Sequence, residues 1–202
     1  MMEKDWKGDY NGIWMTLGAS NHTDKERHTD DYYATDPIAA ELLLEVETFS
    51  PNILECASGT DHLANVFRQH GYNVRTTDIV KRLETTEQLD FLNAPDTVWD
   101  GDIITNPPYS KAQEFVEKAL SLVTDGHKVC MFLKTVFLEG KKRRKLYEKY
   151  PPKTIYVSSS RIMCAKNGEF ERMKAGGGSA VSYSWFVWEK GYQGETVVKW
   201  IN

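Results

Sequence analysis

From Tyr32 onward, runs of strand length alternate with runs of helix length, and that alternation restricts the fold more than any other feature of the chain. Asp36-Pro37 reads as a helix start, a capping side chain followed by proline in the first turn, with Ile38, Leu42, Leu43 and Val46 as its apolar stripe. Residues 52–57 read as a buried strand running into a turn at Ser58-Gly59-Thr60. Asp61 is expected to cap a second helix, whose Leu63, Val66 and Phe67 face inward and which Gly71 ends. Residues 72–78 read as a second strand, and 102–105 as a short third one that meets two prolines. Ala112, Phe115, Val116, Ala119, Leu120 and Val123 then recur at helical spacing up to Gly126. An apolar strand over 128–133, a basic helix to about Tyr150 and strands over 154–157 and 181–188 complete the series. Helices placed between strands in this way serve as crossover connections, so an α/β fold is expected: a mostly parallel sheet with helices on both faces.

A length of 202 residues, 41% of them hydrophobic, suffices for one sizeable core but not two. A single domain over 32–202 is expected, preceded by a polar lead-in over 1–31. That lead-in carries His22-Thr23-Asp24 and His28-Thr29-Asp30, but spacing of this kind in a charged, turn-rich stretch fixes no geometry between two imidazoles, so no metal site is expected. Cys56, Cys130 and Cys164 are too scattered for a disulfide framework or a metal finger, which fits a reducing, cytoplasmic setting. No apolar run approaches the ~18–20 residues of a membrane span, and MMEKDWKGDY has neither the basic start nor the apolar stretch of a signal peptide. The net charge of -4 and pI near 5.8 exclude a globally basic nucleic-acid coat, so any such contact has to be a local patch.

In a parallel sheet, ligands lie outside the carboxyl ends of the strands. After the first core strand comes Glu55-Cys56-Ala57-Ser58-Gly59, a tight turn where glycine lets backbone approach a ligand. After the second comes Asp78, roughly 20 residues past the turn, where a carboxylate can accept hydrogen bonds from ribose hydroxyls. A nucleoside-bearing cofactor is implied, and a dinucleotide is disfavoured because the glycines that expose amides to a pyrophosphate are missing. After the third comes Asn106-Pro107-Pro108-Tyr109. Two prolines remove two amide donors and hold the backbone extended, leaving the carbonyls of Asn106 and Pro107 free and fixed in direction. With the Asn106 side-chain oxygen, such a corner can grip both hydrogens of a planar amino group, while Tyr109 stacks on the ring that carries it.

This pattern resembles the amino-methyltransferases that act on exocyclic nitrogens, chiefly the DNA adenine-N6 family with its Asp/Asn/Ser-Pro-Pro-Tyr/Phe/Trp signature, in a small solitary form of the kind seen in phages. The likeness runs in order along nearly the whole chain. Tyr33-Ala34-Thr35-Asp36-Pro37 resembles the family element that touches the methionine end of S-adenosylmethionine. Glu55 to Gly59 resembles its glycine turn, Asp78 its ribose-binding acid, and Asp90-Phe91-Leu92 the element whose Asp reaches the cofactor's adenine amino group. Cys56 stands where the family usually has proline, and Asp61 where a second glycine is frequent. The resemblance implies a Rossmann-like class I methyltransferase fold with a seven-stranded sheet. It also implies a cofactor site of Tyr33, Thr35, Glu55, Ala57, Ser58, Gly59, Asp78, Asp90 and Asn106, and a catalytic corner of Asn106, Pro107, Pro108 and Tyr109. Methyl transfer to N6 of adenine in DNA after base flipping follows from it, with RNA or a protein glutamine as other acceptors and a non-catalytic cofactor-binding protein as the remoter reading.

Lys141, Lys142, Arg143, Arg144 and Lys145 form the one dense basic run, which reads either as a solvated helix face or as a phosphate contact, with Arg161 as a further candidate. Phe137 reads as a pocket wall or as core. Residues 158–179, with Arg172, Lys174 and Gly176-Gly177-Gly178, read as a long irregular segment, either a substrate loop or a connector. The chain has no room for a separate target-recognition domain, so a specificity partner or a homodimer is compatible with it.

Overall fold

The structure is a computed structural model that describes residues 32–176, 179 and 181–202; the polar lead-in with its two His-Thr-Asp triplets, and Gly177 and Gly178, lie outside the described residues. In chain order, β1 (Tyr33–Thr35) leads into α1 (Ile38–Leu44), β2 (Asn52–Glu55) into α2 (His62–Gln69), and β3 (Asn73–Asp78) into the two-residue β4 (Glu87–Gln88). Then come β5 (Asp102–Thr105), α3 (Ala112–Leu122), β6 (Lys128–Lys134), α4 (Lys141–Lys149) and β7 (Thr154–Ser158). The chain closes with β8 (Cys164–Lys166), α5 (Phe170–Ala175), β9 (Tyr183–Glu189) and β10 (Val197–Ile201). Among the described residues, no helix is long and apolar enough to cross a membrane.

The main sheet runs β10-β7-β9-β6-β5-β2-β3-β4. Every neighbouring pair is parallel except β9 with β6 and β9 with β7. Side chains alternate between its faces with period two. Leu54, Ile103, Met131, Leu133, Phe186 and Trp188 pack on the side of α3 and Leu146 of α4. Ile53, Ile104, Cys130, Phe132, Trp185 and Val187 pack on the side of α1 and α2. The expected α/β sandwich is therefore present, with two differences. The sheet has eight strands rather than seven, because β10 adds itself beside β7 at the far edge. Residues 158–179 are not wholly irregular: β8 pairs antiparallel with β1, Thr35 opposite Cys164, as a separate ribbon, and α5 follows.

Local signals account for the element starts. Asp36 accepts the Ile38 amide on Oδ1 at 3.2 Å, with proline in between, as a capping residue should. Asp61 does not cap α2. It stands in the left-handed region at φ 59, makes no cap bond, and instead receives Arg68 Nη1 at 2.7 Å and the Thr86 hydroxyl at 3.3 Å. The cap comes from elsewhere in the sheet: Glu55 Oε2, at the end of β2, accepts the Ala64 amide at 2.9 Å.

β2 to β3 proceeds in one direction across the sheet and β5 to β6 in the other, so the strand order reverses between β2 and β5. In an open α/β sheet, the crevice at such a reversal is where ligands bind. The glycine turn after β2 and the double-proline corner after β5 both stand at this end of the sheet, because β2 and β5 pair in parallel.

Candidate active site

Among the described residues, five buried side-chain polar atoms make no well-aligned hydrogen bond: Ser58 Oγ, Thr77 Oγ1, Thr105 Oγ1, which has the Cys56 thiol beside it, Asn106 Oδ1, and the Tyr109 hydroxyl, which has Cys164 and Tyr183 beside it. All five sit at the carboxyl ends of β2, β3 and β5 or in the turns just beyond. Folded proteins satisfy nearly all their buried polar groups, so a cluster of unsatisfied ones on one side of a sheet marks a place built for a polar ligand.

On the β2–β3 side, Gly59 adopts φ 57, a conformation open to glycine, and a Cβ there would stand 2.8 Å from the Tyr32 ring. The Gly59 amide donates to Asp78 Oδ2 at 2.8 Å, tying the turn to the end of β3. Asp78 Oδ1 receives the Val80 amide at 2.9 Å and Arg82 at 3.2 Å. The Arg82 guanidinium also lies 4.6 Å from the Tyr32 ring centre, and the Tyr32 hydroxyl meets Thr60 Oγ1 at 2.7 Å. Glu55 is buried beneath the turn, and that burial, reinforced by the charge of Asp61, holds its carboxyl well above the usual carboxylate range. Ala57 and Ser58 complete the turn, with Ser58 buried.

Asp90 lies beyond β4 and accepts the amides of Leu92 and Asn93 on Oδ1 and the Asn93 side chain on Oδ2 at 2.7 Å. The Asn93 side-chain bond is the main reason its pKa is lowered. Its neighbour Phe91 is buried against Phe115, ring centres 5.1 Å apart, which anchors the turn.

On the β5 side, Asn106 Nδ2 donates to Thr35 Oγ1 at 2.8 Å, to the Tyr33 carbonyl at 3.4 Å and to Cys164 Sγ at 3.8 Å. No hydrogen bond among the described residues reaches the carbonyls of Asn106 or Pro107, while the Pro108 carbonyl is taken by the Lys111 amide at 2.8 Å. Tyr109 leans on Tyr183, ring centres 5.8 Å apart, and carries the Lys134 ammonium 4.9 Å from its own ring centre. Burial raises the Tyr109 phenol well above its ordinary value and pushes the Cys164 thiol up to about 11, so both stay protonated near neutral pH.

Next to this corner opens a cleft of about 640 Å³ between Tyr109, Ser110, Gln113 and Glu114 on one side and Phe137, Lys141, Lys142 and Arg143 on the other. Of the basic candidates, Lys141 and Lys142 are exposed on the cleft. Arg143 folds back, donating to the Glu139 carbonyl at 2.6 Å with its guanidinium over Phe137. Arg144 pairs with Glu148 at 2.7 Å, and Arg161 donates to the Ser179 carbonyl at 3.2 Å. Phe137 itself is buried in the core against Phe186.

Tyr32, Arg82, Lys134, Cys164 and Tyr183 are site neighbours absent from the sequence-level candidates. Lys134 could have been found, since it ends β6 on the ligand side of the sheet. Cys164 and Tyr183 reach the corner only because β8 and β9 return to it from far along the chain, a pairing that no local pattern announces.

The fold is the class I methyltransferase fold. Solved structures that share it include a protein of Listeria monocytogenes described as a class I S-adenosylmethionine-dependent methyltransferase, at TM-score 0.55 and 14% identity over 94% of this chain and 71% of that one. A protein of Agrobacterium tumefaciens described as an O-methyltransferase aligns at TM-score 0.57 and 13% identity, over 82% of this chain and 85% of that one. A modification subunit described as part of a type I restriction enzyme of Vibrio vulnificus aligns at TM-score 0.54 and 10% identity, over 84% of this chain but 46% of the subunit. In sequence, the chain matches no protein-family model and no curated protein. Within this fold, the corner after β5 and the turn after β2 follow neighbouring parallel strands and so stand at the same end of the sheet.

Proposed function

We propose that this chain is an S-adenosylmethionine-dependent methyltransferase acting on an exocyclic amino group, N6 of adenine in DNA. The observation that carries the reading is the Asn106 oxygen: buried, without a partner, and set beside two carbonyls that no donor reaches. A binding module needs no such set of acceptors, whereas an amine with two hydrogens does.

The cofactor fits the donor and acceptor set on the β2–β3 side. The turn Ala57-Ser58-Gly59 gives backbone and an unpartnered hydroxyl, Asp78 a carboxylate for ribose hydroxyls, Asp90 an acceptor for an adenine amino group, and the β1 segment around Tyr33 the methionine end. Glu55 acts from below by holding the turn to α2. When bound, S-adenosylmethionine would supply a sulfonium methyl group to the nitrogen lone pair, the carbon–sulfur bond breaking as the carbon–nitrogen bond forms, with the neutral thioether as leaving group and the surplus amine proton passing to solvent.

An amine on an aromatic ring is a poor nucleophile because its lone pair is delocalised. Asn106 Oδ1 and the Pro107 carbonyl accept its two hydrogens, which draws the nitrogen toward tetrahedral geometry and frees the lone pair. Positioning of this sort can lower a barrier by up to roughly 7–11 kcal/mol, so the chemistry asks for no nucleophilic residue. Pro108 keeps the corner extended at φ -55 and ψ 120, and Tyr109 lines the cleft that the target ring would enter. Flipping a base out of a duplex costs a few kcal/mol, and stacking on one aromatic returns roughly 1–3 kcal/mol of that.

DNA is favoured as the acceptor by the cleft, where Lys141 and Lys142 share the lining with Tyr109 and supply positive charge suited to phosphate oxygens. A modification subunit also occurs among the structures sharing the fold. Residues 32–202 would act as one cytoplasmic catalytic domain, drawing sequence preference from a partner or a second copy.

The test incubates the protein with radiolabelled cofactor and, separately, DNA, RNA and ribosomal or release-factor protein, and identifies the product by mass spectrometry. N6-methyldeoxyadenosine is the expected product, lost in Asn106→Ala while cofactor binding by calorimetry stays nearly intact. Label found in RNA or protein instead would replace the acceptor, and no transfer to any of the three would remove the enzymatic reading.

A further inference from the structure

An asparagine used as an acceptor faces a problem that an aspartate does not. Its two ends are nearly the same size, and a half-turn about the last side-chain bond exchanges acceptor for donor. A corner meant to receive an N–H therefore works only if the amide is held one way round. We infer that the β1·β8 ribbon is the clamp that holds it, with Thr35 as the principal positioning residue and Cys164, its partner across the ribbon, as the second. This rests on the reading of Asn106 as the group that grips the substrate amine.

Three groups surround Asn106 Nδ2, all from the ribbon: Thr35 Oγ1 at 2.8 Å, the Tyr33 carbonyl at 3.4 Å and Cys164 Sγ at 3.8 Å. The Tyr33 carbonyl can only accept. Turning the amide over would set Oδ1 against that carbonyl oxygen, lone pair facing lone pair, and would aim an N–H at the incoming N–H of the substrate. Thr35 and Cys164 stand directly opposite each other in the β1·β8 register, so the ribbon brings both to one amide. Thr35 is 3% exposed, Cys164 is equally shielded, and the thiol is protonated near neutral pH, which makes it a weak hydrogen-bonding neighbour rather than a nucleophile. The orphaned state of Oδ1 is the complement of this arrangement: every fixed partner has been placed on the nitrogen, and the oxygen is kept for a ligand.

Thr35 thus acts through Asn106 and not chiefly on the cofactor, and the two roles are separable. If Thr35 orients the amide, Thr35→Val lowers kcat about tenfold and leaves the cofactor Kd and KM within about twofold, while Thr35→Ser restores the rate. If it serves the cofactor, Kd and KM rise and kcat holds, which would overturn the inference. A carboxylate presents an acceptor either way round, so Thr35→Val should cost little in an Asn106→Asp background. A readout independent of turnover completes the test. In the 15N-labelled protein, the side-chain amide pair that vanishes in Asn106→Asp should exchange slowly with solvent, and faster in Thr35→Val. Equal exchange in the two proteins would sink the clamp whether or not any acceptor is methylated, whereas slow exchange without methylation would sink the function and leave the clamp standing.

Discussion

Glu55 carries the residue-scale consequence with the clearest sign. Its folded pKa lies above the unfolded value because burial penalises the anion and Asp61 adds to that penalty, outweighing the Ala64 amide and Arg68. A group raised in this way contributes stability that is full below the unfolded value of about 4.3 and is lost as pH rises through the folded one. Glu55→Gln keeps an acceptor oxygen for the Ala64 amide at 2.9 Å but removes the charge. The variant's melting temperature should therefore gain on the wild type from about pH 4.3 upward, and parallel curves across that range in differential scanning fluorimetry would count against the burial argument. At Asp61 the local pattern misleads for the same physical reason. A side chain suited to capping is drawn off its own helix by the half-buried guanidinium of Arg68, and a carboxyl group from β2 takes the vacated amide.

Among the elements, α4 decides whether the basic run does anything beyond solvation. Its helix begins after β6 on the ligand side, but its first four basic residues differ in what engages them: Lys141 and Lys142 are exposed on the cleft, while Arg143, which also lines it, donates to the Glu139 carbonyl and Arg144 pairs with Glu148. The Lys141→Glu/Lys142→Glu variant should weaken DNA binding and flatten its log–log salt dependence by roughly 0.9 per lost phosphate contact on duplex, or roughly 0.7 on a single strand. An unchanged slope in fluorescence anisotropy titrations would return the helix to the solvated reading. The same measurement on Arg144→Glu serves as the contrast, since that guanidinium is already paired and should move the slope less. Sequence gave equal standing to all five residues because periodicity reports a helix but not its rotation about the sheet.

At the scale of the molecule, β9 ties the late strands to α1. It lies between β6 and β7, antiparallel to both, and Trp185 at its middle is fully buried, its ring centre 5.0 Å from that of Phe132 and its Nε1 donating to the Ala39 carbonyl of α1 at 2.8 Å. Trp185→Ala should cost about 3–5 kcal/mol of unfolding free energy, read as a fall in urea midpoint, because no neighbour can fill the volume that an indole leaves. A loss below ~1 kcal/mol would mean that the strand is not central to the core. What sequence by itself determined is whatever depends on neighbours in the chain: strand and helix periods, the capped start of α1, the glycine turn, and the double proline that leaves carbonyls free. What only the tertiary structure decided depends on distant segments meeting: the eighth strand, the Thr35–Cys164 ribbon around the Asn106 amide, and which lysines face the cleft. Hydrogen bonds and side-chain rotation at those points are set by partners dozens of residues away, and no local pattern can encode a partner it does not contain.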